Sequence, residues 1–236
     1  MQWLILVFIY LFSNTIAYAD IKIGNPPFRP PFVLDQKSGF DIQLMGTICK
    51  RLNETCEFYP MAAEKLFGAL QEGDIDVAIG GITISEARKV DYIFSLPYLI
   101  SEGEFLVLKS NGFQSINDLK GKKIGTVMGS NYEDFLANHY GLQFQIVLYT
   151  DPVYLVSSLN QGEIAAVFLS RESMGYWKRQ SAGLLVSLGK PVLIDGGYAI
   201  MATPKNTALI QSINQVLKEI ENDGTLVTLY ENYLSN

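Results

Sequence analysis

At residues 73–92 the chain reads GDIDVAIGGITISEARKVDY. A short apolar strand (Ile75, Val77, Ile79) carries one acid, Asp76, and ends on Gly80-Gly81. A hydroxyl follows at Thr83 and a guanidinium at Arg88. Upstream, residues 63–72 read as a helix, which Gly73 closes by supplying a left-handed residue. Open α/β sheets present ligand sites at the carboxyl ends of their strands, so this strand tip is a candidate site. Gly80 and Gly81 let a ligand approach the backbone closely. Thr83 offers a hydroxyl that donates and accepts. Arg88 is a fork that fits a carboxylate with two parallel charged hydrogen bonds. Ordinary roles fit the same residues: a Gly-Gly turn, Thr83 as a helix cap, Arg88 at the surface.

Outward from this stretch, helices and strands alternate. DIKIGN is a strand, PPFRPPFVLDQKSG a rigid proline-rich loop, and residues 40–52 a helix with Phe40, Ile42, Leu44, Met45, Ile48, Cys49 and Leu52 on one face. A strand at 56–60, the helix at 63–72 and the strand at 75–79 complete a βαβαβ unit, expected as a parallel sheet flanked by helices. SEGEFLVLKSNGFQSINDLKGKK reads as a polar segment leading to a second such unit: strand IGTVMG, helix 131–140, strand 144–149, helix 152–161 and strand 164–169. Two helices joined at Gly224 end the chain. ALQEGDIDVAIGGIT and SLNQGEIAAVFLSRE echo each other: helix end, glycine, short apolar strand, polar tip. The echo suggests two lobes of similar build.

The 236 residues are 48% apolar with a net charge of -6, enough for a well-buried core. The acidic balance and scattered basic residues, with no run beyond Lys120-Gly-Lys122-Lys123, exclude a nucleic-acid partner. Trp3 to Phe12 is an unbroken apolar stretch, and Ala17-Tyr18-Ala19 precedes Asp20. This pattern reads as a secretory signal peptide over residues 1–19, cleaved after Ala19. The rival, a membrane anchor, falls short of the roughly 20 residues a span needs. Export favours a disulfide between Cys49 and Cys56 in CKRLNETC over a pair of buried thiols. With His139 the single histidine, no metal site is expected, and no cofactor.

VMGSNYEDF supplies a second candidate surface. Gly129-Ser130-Asn131 follows a strand and opens a helix, where backbone N–H groups attract an anion. A carboxylate held by Arg88 from one lobe and by this helix start from the other would clamp the lobes shut.

Together these segments resemble the periplasmic solute-binding proteins of the polar amino acid family, which feed ABC importers. GFDIQLMGTICKRL is similar to the family's GFDIDLA helix, and GDIDVAIGGITISEAR to its strand-tip segment. FSLPY, DLKGKKIGTVMGS and NDGTLVTLYENYL resemble further family motifs, and the match covers the whole chain after residue 19. CKRLNETC resembles the branch that binds histidine, lysine, ornithine or arginine. The resemblance implies a two-lobed α/β fold (type II), each lobe a mostly parallel sheet flanked by helices. Lobe 1 would be residues 20–108 plus 196–236 and lobe 2 residues 109–195, with hinge crossings near Val107–Ser110 and Leu193–Gly196. The molecule would be a monomer that captures an amino acid and docks on an inner-membrane ABC permease.

Carried over by resemblance, Arg88 grips the ligand α-carboxylate and the Thr83 hydroxyl and amide assist it. The Gly81 carbonyl, next to Gly80, accepts from the α-amino group, and Ser130 and Asn131 close from the other lobe. Departures from the family pattern are specific. Ser170 stands where an aspartate usually pairs with the α-ammonium, with Glu172 nearby. Arg29 replaces a stacking aromatic, a role Phe28 or Phe32 would take over. Pro26 stands where basic-ligand binders carry an acid, and Ala63 leaves space where bulkier groups line the pocket. The subfamily pattern implies a basic amino acid, arginine first, while Arg29 favours an acidic or neutral polar one.

Two other functions compete. A dehydratase on this fold needs a positioned acid or base, for which Glu172, Glu102 and Glu104 are candidates, but no nucleophile–base pair is visible. A sensor on the same fold, binding a non-amino organic acid, would fit the missing aspartate.

Overall fold

The computed structural model describes residues 20–235; the signal-peptide reading of residues 1–19 lies outside them. The chain forms two five-stranded sheets. The first contains β1 (Ile21–Asn25), β2 (Cys56–Pro60), β3 (Val77–Ala78), β4 (Ile93–Phe94) and β10 (Met201–Ala202), in the order β2-β1-β3-β10-β4. The second contains β5 (Leu99–Leu108), β6 (Lys123–Val127), β7 (Gln145–Tyr149), β8 (Ala166–Ser170) and β9 (Leu185–Tyr198), in the order β7-β6-β8-β5-β9. In each, the three βαβαβ strands pair in parallel, and one strand, β10 in the first sheet and β5 in the second, runs against them and pairs antiparallel with both of its neighbours.

Helices cover both faces of both sheets, as the apolar faces in the sequence require. On the first sheet, α1 (Phe40–Leu52) and α6 (Thr207–Asn222) pack Phe40, Leu44, Ile48, Ile213 and Ile220 into one core with Ile23 and Val77. Each such side chain contributes about 1.5–3 kcal/mol on burial. The opposite face buries Leu66 and Leu70 of α2 (Lys65–Glu72) against Ala78 and Met201. On the second sheet, α3 (Asn131–Tyr140) covers one face through Tyr132 and Leu136, and α4 (Pro152–Asn160) the other through Leu155 and Leu159. The chain closes with α7 (Thr225–Tyr233), entered through left-handed Gly224. At the end of α1, left-handed Asn53 turns the backbone so that Cys49 and Cys56 meet in a disulfide that joins helix to strand.

The strands β4, β5, β9 and β10 and one helix lie outside the sequence reading, and two of these elements depart from it most. The segment taken as polar holds β5, whose inward residues Phe105, Leu106 and Val107 are buried despite Glu102 and Glu104 earlier in the strand. A further helix, α5 (Arg171–Gln180), starts directly at the tip of β8. Its sequence, RESMGYWKRQ, shows little apolar periodicity, and the helix buries only Ser173, Met174 and Gly175.

The ladder also moves the crossings between the sheets. β5 pairs with β8 and β9, so residues 99–108 belong to the second sheet rather than the first. Val107–Ser110 and Leu193–Gly196, expected as hinges, both begin within second-sheet strands. The chain instead changes sheets between Phe94 and Leu99 and between Tyr198 and Met201. These two passages lie side by side, with the Tyr98 N–H donating to the Tyr198 carbonyl at 2.9 Å and the Ser95 N–H to the Ile200 carbonyl at 2.8 Å.

Candidate functional site

The tip of β3 is shaped by close packing. Gly80 (φ 133°) and Gly81 (φ 66°) both hold conformations that L side chains rarely adopt. A Cβ on Gly80 would lie 2.3 Å from Pro26 Cδ, and one on Gly81 2.8 Å from the Phe32 ring. The glycines therefore admit the proline-rich loop as well as opening a wall of the cleft. Behind them sits Asp41, fully buried on α1, whose Oδ2 accepts from the Gly81 N–H at 2.7 Å and from the Tyr98 hydroxyl at 3.0 Å. Its Oδ1 has no hydrogen-bond partner among the described residues. Burial pushes this carboxyl up to about 7, against the pull of those hydrogen bonds. Sequence reasoning passed over Asp41; its signal was an acid on the otherwise apolar face of α1.

Arg88 opens a short 3₁₀ turn, Arg88–Val90, and its side chain spans the gap between the sheets. Nη1 donates to the Thr83 carbonyl at 2.7 Å, with the Thr83 hydroxyl at 3.4 Å. Nη2 donates to the carbonyl of Gly129, on the second lobe, at 2.7 Å. The guanidinium also lies 5.5 Å from the Phe67 ring centroid. With five N–H donors in a rigid fork, these bonds fix its plane and leave donors for an incoming acid. Burial, then the neighbouring Arg29 charge, lowers the Arg88 pKa, yet a guanidinium stays charged.

Across the gap, Ser130 caps α3: its hydroxyl accepts from the Glu133 N–H at 3.3 Å and donates to the Val127 carbonyl at 2.5 Å. The Gly129 N–H donates to the Glu133 carboxylate at 2.6 Å. Part of this helix start is thus satisfied internally, leaving less of it for an outside anion than the sequence suggested. The Asn131 amide donates to the Ile84 carbonyl of the first lobe at 2.7 Å. Farther along, the Ser173 hydroxyl donates to the Pro30 carbonyl at 2.9 Å. These bonds hold the two halves together.

Between the halves lies a cavity of about 270 Å³. Of the sequence-derived candidates, Gly80, Gly81, Thr83, Arg88, Ser130, Arg29 and Ala63 line it. Leu66, Phe67, Ile82, Val127 and Met128 give it apolar walls, and exposed Glu64 lies on its wall as well. The other four candidates stand elsewhere. Phe32 is buried beneath Gly81, its ring 4.8 Å from that of Tyr198. Phe28 is 36% exposed and meets the Tyr176 ring edge-on, so neither phenylalanine replaces a stacking aromatic in the cavity. Asn131 serves the bond to Ile84 just described. Ser170 is the N-cap of α5, its hydroxyl accepting from the Ser173 N–H at 3.1 Å.

Beside Ser170 runs a buried chain of hydroxyls that sequence reasoning did not assemble. Ser101 meets Tyr132 at 2.8 Å, Tyr132 meets Tyr198 at 2.5 Å, and Tyr198 donates to Glu172 at 3.2 Å. Burial pushes the Glu172 carboxyl up to about 7 and raises the phenols of Tyr132 and Tyr198. The residues come from distant segments, so no local pattern announces them. The other acids weighed for catalysis lie off the cavity: Glu102 pairs with Arg171 at 2.7 Å, and Glu104 is buried in β5. His139 is exposed on α3, stacked on Phe135.

The model of the bacterial extracellular solute-binding proteins, family 3, matches residues 21–236. The arginine-binding periplasmic protein of Mannheimia haemolytica is 27% identical, covering 93% of this chain and 93% of its own. The L-cystine-binding protein TcyJ of Escherichia coli (strain K12) is 31% identical, covering 94% of this chain and 85% of its own. Among solved structures, an arginine 3rd transport system periplasmic binding protein from Legionella pneumophila superposes with a TM-score of 0.85 at 33% identity, over 91% of this chain and 99% of that one.

Proposed function

The chain belongs to the bacterial extracellular solute-binding proteins, family 3, and from that premise we propose that it captures a polar amino acid in the cavity between its lobes and delivers it to an ABC importer in the membrane. The observation that carries this reading is Arg88. It lines the cavity and already bonds to both halves. Its free donors take the ligand α-carboxylate, while the hydroxyl of Thr83, also a lining residue, receives a remaining polar atom; Ser130, whose hydroxyl is engaged by Val127 and Glu133, contributes the shape of the facing wall. Closure is favoured because the bound acid touches both halves only when they are shut.

The hinge in this reading lies at residues 95–98 and 199–200, supported by the change of sheet at those points. Lobe 1 is then residues 20–94 with 201–236, and lobe 2 is 99–198. The relatives' names, arginine- and cystine-binding, support an amino acid as the ligand class. Export with cleavage after Ala19, a monomeric state and an inner-membrane permease partner complete the proposal. No helix among the described residues is long and apolar enough to cross a membrane.

The test is the shift in melting temperature of the protein with each of the twenty amino acids and a panel of organic acids, since a ligand of the folded state must raise the midpoint. A clear shift with at least one amino acid is expected. Arg88→Ala should weaken that ligand about 100-fold or more, the loss of charge-assisted bonds, in a protein that still melts cooperatively, at a midpoint lowered by the loss of the Thr83 and Gly129 bonds. Normal binding by the variant refutes the assignment.

A further inference from the structure

The names of the relatives include arginine, but the cavity walls carry cations of their own. Arg29 and Arg88 both line this one cavity. The Arg88 fork is tied to the Thr83 and Gly129 carbonyls. Arg29 is different: among the described residues its only hydrogen bonds are backbone ones with Val33, and none of the ion pairs, at Arg51, Lys89 and Arg171, includes it. A guanidinium removed from water without an anion is unfavourable, and it does not escape by losing its proton. Two carboxylates, Asp41 and Asp151, act on Arg29 through their charge, but neither bonds to it: Asp41 stands behind the Gly80–Gly81 backbone with one oxygen accepting from Gly81 and Tyr98, and Asp151 accepts from the Val153 N–H at 2.7 Å. Glu64, the one carboxylate among the lining residues, is exposed.

We propose that Arg29 forms a second anion subsite in the same cavity as Arg88, so that the preferred solute is a small molecule with two carboxylates joined by a short carbon chain. The proposal rests on the reading that Arg88 captures an acid in this cavity, and narrows it. Two independent features specify the ligand. Apolar lining at Leu66, Phe67, Ile82 and Val127 suits a carbon chain rather than a bare inorganic anion. The volume of about 270 Å³ sits at the small end for ligand pockets. A basic side chain is disfavoured by the same walls, because it would add a third cation without a buried acid to meet it. Ser170, whose hydroxyl caps α5, leaves the α-amino group a weak determinant.

The experiment is calorimetric titration of the protein with glutamate, aspartate, glutarate, succinate, L-cystine, glutamine, arginine, lysine and inorganic phosphate. At least one of glutamate, aspartate, glutarate and succinate should bind about tenfold or more tighter than glutamine, arginine or lysine; tighter binding of L-cystine than of all four overturns the short-chain subsite. The ratio of glutamate to glutarate then separates amino from non-amino sources, and either supports the proposal. Arg29→Gln, with its fold checked by melting temperature, should weaken the two-carboxylate solute about tenfold or more while leaving glutamine nearly unchanged. Tighter binding of arginine or lysine overturns the two-acid subsite but leaves capture at Arg88 standing. So does an equal loss for glutamate and glutamine in Arg29→Gln, or binding of phosphate alone. Failure of every solute to bind the folded protein overturns both readings.

Discussion

The tips of β3 and β8 are built from similar sequence and put to opposite use. Each strand comes after a helix closed by a left-handed glycine, Gly73 (φ 82°) in one case and Gly162 (φ 73°) in the other. Each ends in small or polar residues. At β3 the chain does not enter a helix at once: Gly80, Gly81 and Thr83 stay in a loop, line the cavity and hand over to Arg88. At β8 the chain turns straight into α5, and Ser170 becomes a cap bonded to Ser173. The groups a strand tip presents to a ligand thus depend on the next element of the chain. Only a tip left in a loop keeps its polar groups for an outside molecule.

Substitutions can break or sharpen this contrast. The largest effect is expected at the open tip. Gly80→Ala combines a forbidden backbone with a Cβ driven into Pro26, and should cost roughly 3 kcal/mol or more of stability; chemical denaturation measures it. Smaller losses are expected at the capped tip. Ser170→Ala should cost about 1 kcal/mol, the worth of an N-cap, with ligand affinity little altered. A large drop in affinity instead would make the two tips functionally alike. Ser170→Asp keeps a capping oxygen and should leave stability almost unchanged in the same assay, while offering an amino group a charged neighbour that titration can detect.

A subtler expectation concerns pH. Glu172 beside Ser170 has its carboxyl raised to about 7 by burial, offset in part by the Tyr198 hydroxyl and Arg171, with Glu102 pushing the same way as burial. A raised acid favours the folded state most when protonated. Its contribution is complete below the ordinary glutamate range and is lost as pH rises through about 7. The melting temperature should therefore carry a falling component over that window, which Glu172→Gln removes. The part due to Asp41, raised in the same direction, remains. An unchanged pH profile in the variant would show that Glu172 is solvated in solution.

Much of this was legible in the residues. The apolar faces of α1 and α6, the parallel strand units and the stretch from Ile75 to Arg88 announce themselves because local period and turn chemistry agree with the final packing. β5 was obscured by Ser101, Glu102 and Glu104 at its start, and only pairing with β8 and β9 makes it a central strand. α5 escaped because its helical state comes from the Ser170 cap and its place on the sheet more than from an apolar stripe. Within the site, Arg88 and Thr83 could be chosen from type and position. Phe28 and Phe32 were drawn away by contacts with Tyr176 and Tyr198 that no local pattern contains. The hydroxyl chain, with members from four parts of the chain, is a purely three-dimensional object.

The bonds from Arg88 to Gly129, Asn131 to Ile84 and Ser173 to Pro30 each join a side chain to a main-chain oxygen of the opposite half. All three would be lost together if the halves parted, so separation would expose three main-chain oxygens at once, each bond worth about 0.5–1.5 kcal/mol.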